Sequence, residues 1–456
     1  MKITYNINKD IFREYDIRGI YPKDLTEDVS YTIGRGFASY ILENGYDTCV
    51  VGHDNRLSSD LLYNSLIKGL TDSGVNVVSL GLCTTPMYYY ACIYKKIYQG
   101  LMVTASHNPK EYNGYKIAFN EEGNAKGKEI TDFYDYIMKG NFKEGQGLVT
   151  EYNVHDDYIT LFDKCLSFGN RVPKVLVDPG NGTTSIIVHD LFDRYPLNVS
   201  YIFDKNDGSF PNHHPDPSVE ENLTVLKEKV VEGSYDCGIS FDGDGDRVGL
   251  VSNSGEFIPA DLIMLMVIRN IINNVPKKEF LYDVKCTKAL SDEIEKLGGK
   301  GVMYRTGNSY TKAAVRDMDL PFGGELSGHL YFRDKFPGFD SGIYAGLRIC
   351  EILSKTDKTV DELLAGINKY YSTPEIKVPV TDETKFGIVE KVKEYADSKG
   401  YKHVDIDGVK VMFDDSWALV RASNTGPNLT LRFEAKEKKR LEDIYKEFTD
   451  VIKKYV

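Results

Sequence analysis

Residues 174–182 read KVLVDPGNG. A short apolar, β-branched run closes on an aspartate, and Pro-Gly then ends the strand and turns the chain. A helical stretch runs on to about Phe192, and NVSYIF (198–203) is a second strand. The same plan stands earlier as CVVGHD (49–54), a helix near 59–72 and VNVVSLG (75–81). It stands again later as FLYDVKCT (280–287), a helix with Ile294 and Leu297 on one face, and GVMYRTG (301–307). Strands alternating with amphipathic helices are βαβ units, so an α/β domain with a parallel sheet is expected three times over.

A third strand follows in each copy, and each ends in an unusual loop: GLMVTASHNP (100–109), DCGISFDGDGDRVG (236–249) and LPFGGELSGH (320–329). Ligands of open α/β sheets bind beyond the carboxyl ends of the strands, so the three loops are expected at equivalent places facing one cleft. From about residue 370 the pattern changes. TPEIKVPV leads to a helix at 385–399, then to KVMFDDSWALVRASNTGPNLTLRFEA (410–435) and a last helix running to Val456. The alternation of Trp417, Leu419, Leu429, Leu431 and Phe433 predicts antiparallel strands with one wet face, in a separate α+β domain. The expected domains are 1–152, 153–253, 254–369 and 370–456.

The 456 residues are 41% apolar and 27% charged, as in an ordinary globular chain. The net charge of −12 argues against a general nucleic-acid or anionic-membrane binder, while leaving room for a small basic pocket. The longest apolar run, from Leu262 to Ile268, is far short of a membrane span and meets Arg269, so it reads as a buried helix. MKITYNINKD offers no apolar leader, and the seven cysteines are scattered without a CxxC pair. A reducing compartment, the cytoplasm, is expected, with no zinc or disulfide framework.

The loops carry the chemistry. DGDGDR sets Asp242, Asp244 and Asp246 at alternate positions, which on extended backbone share a face. Three convergent carboxylates call for a cation, and oxygen ligands alone call for a hard one such as Mg²⁺. An EF-hand is excluded, because its sixth position would be Arg247 and its twelfth Asn253. Asp244-Gly-Asp246-Arg-Val248 also fits the form in which an aspartate is itself phosphorylated, but the extra Asp242 and the presence of Ser106 favour Asp244 as a ligand. Ser106 sits where Asn108-Pro109 stops a strand abruptly. No G-x-S-x-G elbow is present, so a hydrolase triad is not supported. A hydroxyl bearing a phosphoryl group would instead complete the ligand set of the aspartates. GGELSGH offers Glu325, Ser327 and His329 to sugar hydroxyls. RASNTGPN offers Arg421, Ser423, Asn424 and Thr425 as a metal-free phosphate site. FPNHHPDPS (210–218) contains His213 and His214 but is dominated by proline, and reads as a rigid loop.

TASHNP, DGDGDR, GGELSGH and RASNTGP, in this order and spacing, resemble the α-D-phosphohexomutase superfamily, in particular its bacterial phosphomannomutase/phosphoglucomutase group. The resemblance runs from FREYDIRG (12–19) to LRFEA (431–435). It implies four domains around a central cleft, the first three alike, with mixed, mainly parallel sheets. It implies an isomerase that interconverts mannose or glucose 1- and 6-phosphates through phosphoserine at Ser106 and a 1,6-bisphosphate intermediate. Glucose 1,6-bisphosphate, or its mannose counterpart, is then the activator. Asp242, Asp244 and Asp246 match the Mg²⁺ ligands, with a phosphoserine oxygen completing the shell, and Arg247 stands beside them. Tyr15, Arg18, His107 and Lys116 match active-site positions, Lys116 as general acid/base. Lys285, Gly307, Glu325, Ser327 and His329 match sugar-binding positions, and Arg421, Ser423, Asn424 and Thr425 the phosphate loop. Three positions depart from the pattern: Asn308 replaces a usual histidine beside the sugar, His53 a common arginine, and Gly426 a larger residue. Gly245 and Leu326 distinguish the chain from the phosphoglucosamine mutase form (DGDADR, GGEQSGH). The intact Ser106, aspartates and Lys116 argue against a binding protein without turnover.

Overall fold

The strands Thr48–His53, Lys174–Asp178 and Glu279–Asp283 lie inside three separate sheets in a computed structural model that describes residues 1–423 and 426–456. Each is flanked on both sides by parallel neighbours, the strand after its crossover helix and the strand that leads into the functional loop of its copy. The aspartate at or just past the end of each strand explains why all three stop alike. Its Oδ1 accepts the backbone N–H two residues on, from Arg56 to Asp54 (3.1 Å), Gly180 to Asp178 (2.8 Å) and Lys285 to Asp283 (3.1 Å). This Asx turn offers the backbone a local partner in place of the ladder and turns the chain off the sheet.

The parallel strand after each crossover is followed by an antiparallel return. Gly100–Val103 pairs with Tyr112–Ala118, Cys237–Phe241 with Val248–Ser252, and Phe322–Gly324 with Leu330–Phe332. The sheets are therefore mixed, and the three loops are hairpin ends in equivalent positions. The helix Ser59–Asp72 spans its expected residues. Its counterpart in the second copy is broken into a 3₁₀ turn, Thr183–Ile186, and a short helix, Val188–Phe192. Thr183, Thr184, Ile186, Ile187 and Val188 are all β-branched, and such a run loses side-chain freedom in a regular helix. The apolar run from Leu262 forms the helix Ala260–Ile271, which packs into a core shared by the second and third sheets and the helix Thr85–Lys95 of the first. Among the described residues, no helix is long and apolar enough to cross a membrane. The seven cysteines are all buried and unpaired.

The C-terminal sheet is antiparallel, with helices Lys385–Ser398 and Lys438–Ile452 against one face. Here the expected wet face is corrected. Ala418, Val420, Leu429, Leu431 and Phe433 pack under the helices, whereas Trp417 and Leu419 point the other way. That second face is covered too: Trp417 and Leu419 pack on Val284 and Met303 of the preceding domain. Lys410, Arg432 and Glu434 share the face and are buried with them. The sequence shows the alternation but not the neighbouring domain that dries the far side.

Candidate active site

Ser106 occupies its corner with φ at +49° and is almost fully buried. A left-handed, non-glycine residue costs about 1–3 kcal/mol and persists only where its surroundings over-determine it. Here its N–H donates to Thr104 Oγ1 (2.8 Å) and its hydroxyl donates to Asp242 Oδ2 (2.8 Å). Arg18 donates to Ala105 O (2.9 Å) and Asn108 Oδ1 (2.8 Å) and pairs with Asp16, so in this structure it braces the serine loop.

Asp242, Asp244 and Asp246 are fully buried, and their ligand atoms lie within 4.8 Å of one another. They converge through a tight turn with Gly245 at φ +82°, not through the alternation of an extended strand. Adjacent glycines let the backbone fold back where side chains would obstruct it. Lys116 Nζ bridges Asp244 (2.9 Å) and Asp246, and Thr85 donates to Asp244 (2.6 Å). Asp244 Oδ1 and Asp246 Oδ1 are buried with no hydrogen-bond partner among the described residues. Burial, with the charges of Asp246 and Asp244, holds the Asp242 carboxyl well above the usual carboxylate range. Orphaned oxygens and an under-neutralised carboxylate fit a site that takes a hard divalent cation. A second possible group, Asp246, His329 and Asp340, is already met by protein cations, since Lys116 pairs with Asp246 and Lys312 lies 3.3 Å from Asp340.

Arg247 Nε donates to His329 Nε2 (3.0 Å), and His329 Nδ1 lies 2.9 Å from Asp340. Arginine only donates and a carboxylate only accepts, so the imidazole carries its proton on Nδ1. His107 stands 3.4 Å from the Ser106 hydroxyl. Burial, then Arg247 and Arg18, hold its pKa well below the usual histidine value. Glu325 Oε1 accepts the N–H of Gly307 (2.7 Å) and Oε2 the Tyr331 hydroxyl (3.1 Å), and burial pushes its carboxyl up. Ser327 is half-buried in the same loop. A side chain on Gly307, whose φ is +122°, would meet the Tyr15 ring at 3.3 Å, so the first and third domains touch there. Lys285 pairs with Glu375 (2.8 Å), across the seam to the fourth domain.

Arg421 meets Asp407, which also accepts from the Thr306 N–H (3.1 Å) and hydroxyl (2.5 Å) next to Gly307. Lys385 Nζ donates to Ser423 O (2.8 Å) from below the loop. Asn424 and Thr425 lie outside the described residues. One run of contacts thus joins residues from all four sheets: Arg421–Asp407–Thr306, Gly307–Glu325, His329–Arg247 and Asp242–Ser106. The His213 loop packs beside it, with Pro215 next to Gly243, and His213 pairs with Asp178 (3.1 Å). Sequence reasoning missed Asp340, Asp407, Lys312 and Arg56. Asp340, Asp407 and Arg56 are single charged residues in or beside turns and Lys312 lies inside the helix Asn308–Asp317, so no local motif announces them.

The phosphoglucomutase/phosphomannomutase family matches in four parts: α/β/α domain I over residues 9–144, domain II over 156–255, domain III over 259–370 and the C-terminal domain over 375–451. A Pseudomonas putida phosphomannomutase/phosphoglucomutase is 40% identical over 439 residues, covering 96% of this chain and 94% of that protein. A Neisseria gonorrhoeae phosphoglucomutase is 37% identical, covering 98% and 97%. The crystal structure of a phosphoglucomutase/phosphomannomutase family protein from Burkholderia thailandensis superposes with a TM-score of 0.91 at 35% identity, covering 98% of each chain.

Proposed function

The chain belongs to the phosphoglucomutase/phosphomannomutase family, an isomerase of hexose phosphates, and on that premise we propose that Ser106 carries the phosphoryl group between O1 and O6 of the sugar. The observation that carries the proposal is the 2.8 Å bond from the Ser106 hydroxyl to Asp242, at the centre of three converging carboxylates. Phosphorylated Ser106 donates to the free hydroxyl of a hexose 1- or 6-phosphate. The phosphorus–Ser106 bond breaks as the bond to the sugar oxygen forms, giving the 1,6-bisphosphate. That molecule turns end for end and returns its other phosphate to Ser106, so glucose or mannose 1,6-bisphosphate activates the enzyme.

Asp242, Asp244 and Asp246 would hold Mg²⁺, which when bound neutralises charge on the transferring phosphoryl group. Arg247 adds charge beside it, and Lys116 serves as general acid/base. Tyr15, Arg18 and His107 border the reacting end. Lys285, Gly307, Asn308, Glu325, Ser327 and His329 receive the sugar. Arg421, Ser423, Asn424 and Thr425 hold the phosphate that is not reacting. The four domains take these parts in order: phosphoserine, metal, sugar and distal phosphate. The substrates are mannose and glucose phosphates, met in the cytoplasm.

A coupled assay on glucose 1-phosphate with a trace of glucose 1,6-bisphosphate tests this, repeated on mannose 1-phosphate and glucosamine 1-phosphate. Turnover of the first two supports the proposal. Turnover of glucosamine 1-phosphate alone would make the enzyme a phosphoglucosamine mutase, and no turnover at all would leave a binding protein. Intact mass should show a phosphate adduct that Ser106→Ala lacks. A hydroxylamine-labile adduct persisting in Ser106→Ala would move the carrier to an aspartate.

A further inference from the structure

Arg56 lies 50 residues before Ser106, and its side chain is fully shielded from solvent. Its guanidinium reaches the cleft described above through backbone oxygens of the serine loop. It spends its donors on one loop: Nη2 donates to Ser106 O (2.7 Å) and Asn108 O (2.7 Å), and Nη1 to Pro109 O (2.8 Å) and Tyr112 O (3.1 Å). Asp54, the carboxylate that turns the first strand, lies 3.2 Å from Nε and balances the charge. The Phe210 ring of the second domain lies 5.4 Å away. Four carbonyl oxygens aimed at one point repel unless a planar, multi-donor cation sits among them, and only arginine presents such a fork.

The loop so gathered is the one in which Ser106 takes its left-handed conformation, with its hydroxyl directed at Asp242. We propose that Arg56 is the positioning residue of phosphoryl transfer: it sets the Ser106 corner so that the phosphoryl group meets the aspartates and the sugar hydroxyl in line. The inference rests on the reading of Ser106 as carrier. Arg56 acts through the backbone of the loop and never meets substrate. Its loss therefore tilts the reacting group without emptying the sugar site.

The test compares Arg56→Lys and Arg56→Gln with the unsubstituted chain after loading each with glucose 1,6-bisphosphate. Turnover is normalised to the fraction of molecules whose Ser106 takes up phosphate by intact mass, so that misfolded chains drop out of the count. The expected result is a kcat lowered by about a hundred-fold, the effect of a displacement near 1 Å, with KM for glucose 1-phosphate within about three-fold, inside the two- to three-fold scatter of context. Lysine should fail to rescue, because one ammonium cannot span four carbonyls, and guanidinium ion should partly restore Arg56→Gly. Normalised kcat at the unsubstituted level in Arg56→Lys, or a loss confined to KM, overturns the proposal alone. Absence of phosphate on Ser106 in the unsubstituted chain removes the premise, and the proposal with it.

Discussion

Asp407 grips Arg421 at two points: Nε lies 3.1 Å from Oδ2 and Nη2 lies 3.3 Å from Oδ1. The same carboxylate accepts two bonds from Thr306 of the third domain, so the arginine assigned to the distal phosphate is oriented from across a domain seam. The reacting sugar presents either end to that arginine in turn. A charge-assisted bond to phosphate contributes about 1.5–3 kcal/mol, so Arg421→Ala should lower kcat/KM by roughly ten- to a hundred-fold. The loss should appear in both directions of reaction, with Ser106 still phosphorylated. Asp407→Ala should show a smaller loss with the same symmetry. Steady-state kinetics from glucose 1-phosphate and from glucose 6-phosphate check both, and a one-directional defect would give Arg421 another role.

Removing a carboxylate from the aspartate cluster should act differently. Asp244→Ala should lower kcat by orders of magnitude, because a bound metal supplies several kcal/mol of charge stabilisation. Magnesium titration by calorimetry should lose its heat in the same variant. Full activity in a strong chelator would remove the metal from the reading.

Glu325 is held by Gly307 N–H and the Tyr331 hydroxyl, and is assigned to sugar hydroxyls that mannose and glucose share. Glu325→Ala should therefore damage turnover of mannose and glucose phosphates alike, measured side by side with each 1-phosphate. Loss for one sugar alone would contradict a shared contact.

Lys410 is buried at the seam of the third and fourth domains, with Nζ donating to Val284 O (2.7 Å) and lying 3.9 Å from the centre of the Trp417 ring. Burial pulls its pKa down to about 8, with Glu434, Cys286 and Asp283 opposing and Arg432 assisting. The folded state gives up this proton at lower pH than the unfolded chain. Stability should therefore rise from about pH 8 toward the unfolded lysine value of about 10.5. Below that window the full cost of the buried charge is present. Melting curves should show this rise in the natural chain and not in Lys410→Met. Trp417 is the one tryptophan of the sequence, so its emission should titrate near pH 8 and stop doing so in Lys410→Met.

The repeated strand, aspartate and helix were legible because each is a local pattern, and the loops were legible because their chemistry is dense in sequence. The alternation after residue 410 was legible as strands, but not the face that Trp417 chooses, which depends on a domain over a hundred residues away. The convergence of Asp242, Asp244 and Asp246 was read correctly, but through the wrong backbone, since alternation alone does not distinguish a strand from a turn with a left-handed glycine. Arg56, Asp340 and Asp407 were invisible for another reason. Each earns its place through partners up to about a hundred residues away, and a lone charge beside a turn usually signifies only a solvated loop.

The three strand-end turns are closed by a carboxylate and the backbone N–H two residues on, a bond that any residue but proline can donate. That position holds arginine in the first copy, glycine in the second and lysine in the third. A corner built this way folds alike whatever it displays. Three units of one plan can thus differ in chemistry with little conformational penalty, each presenting a different side chain on a common geometry.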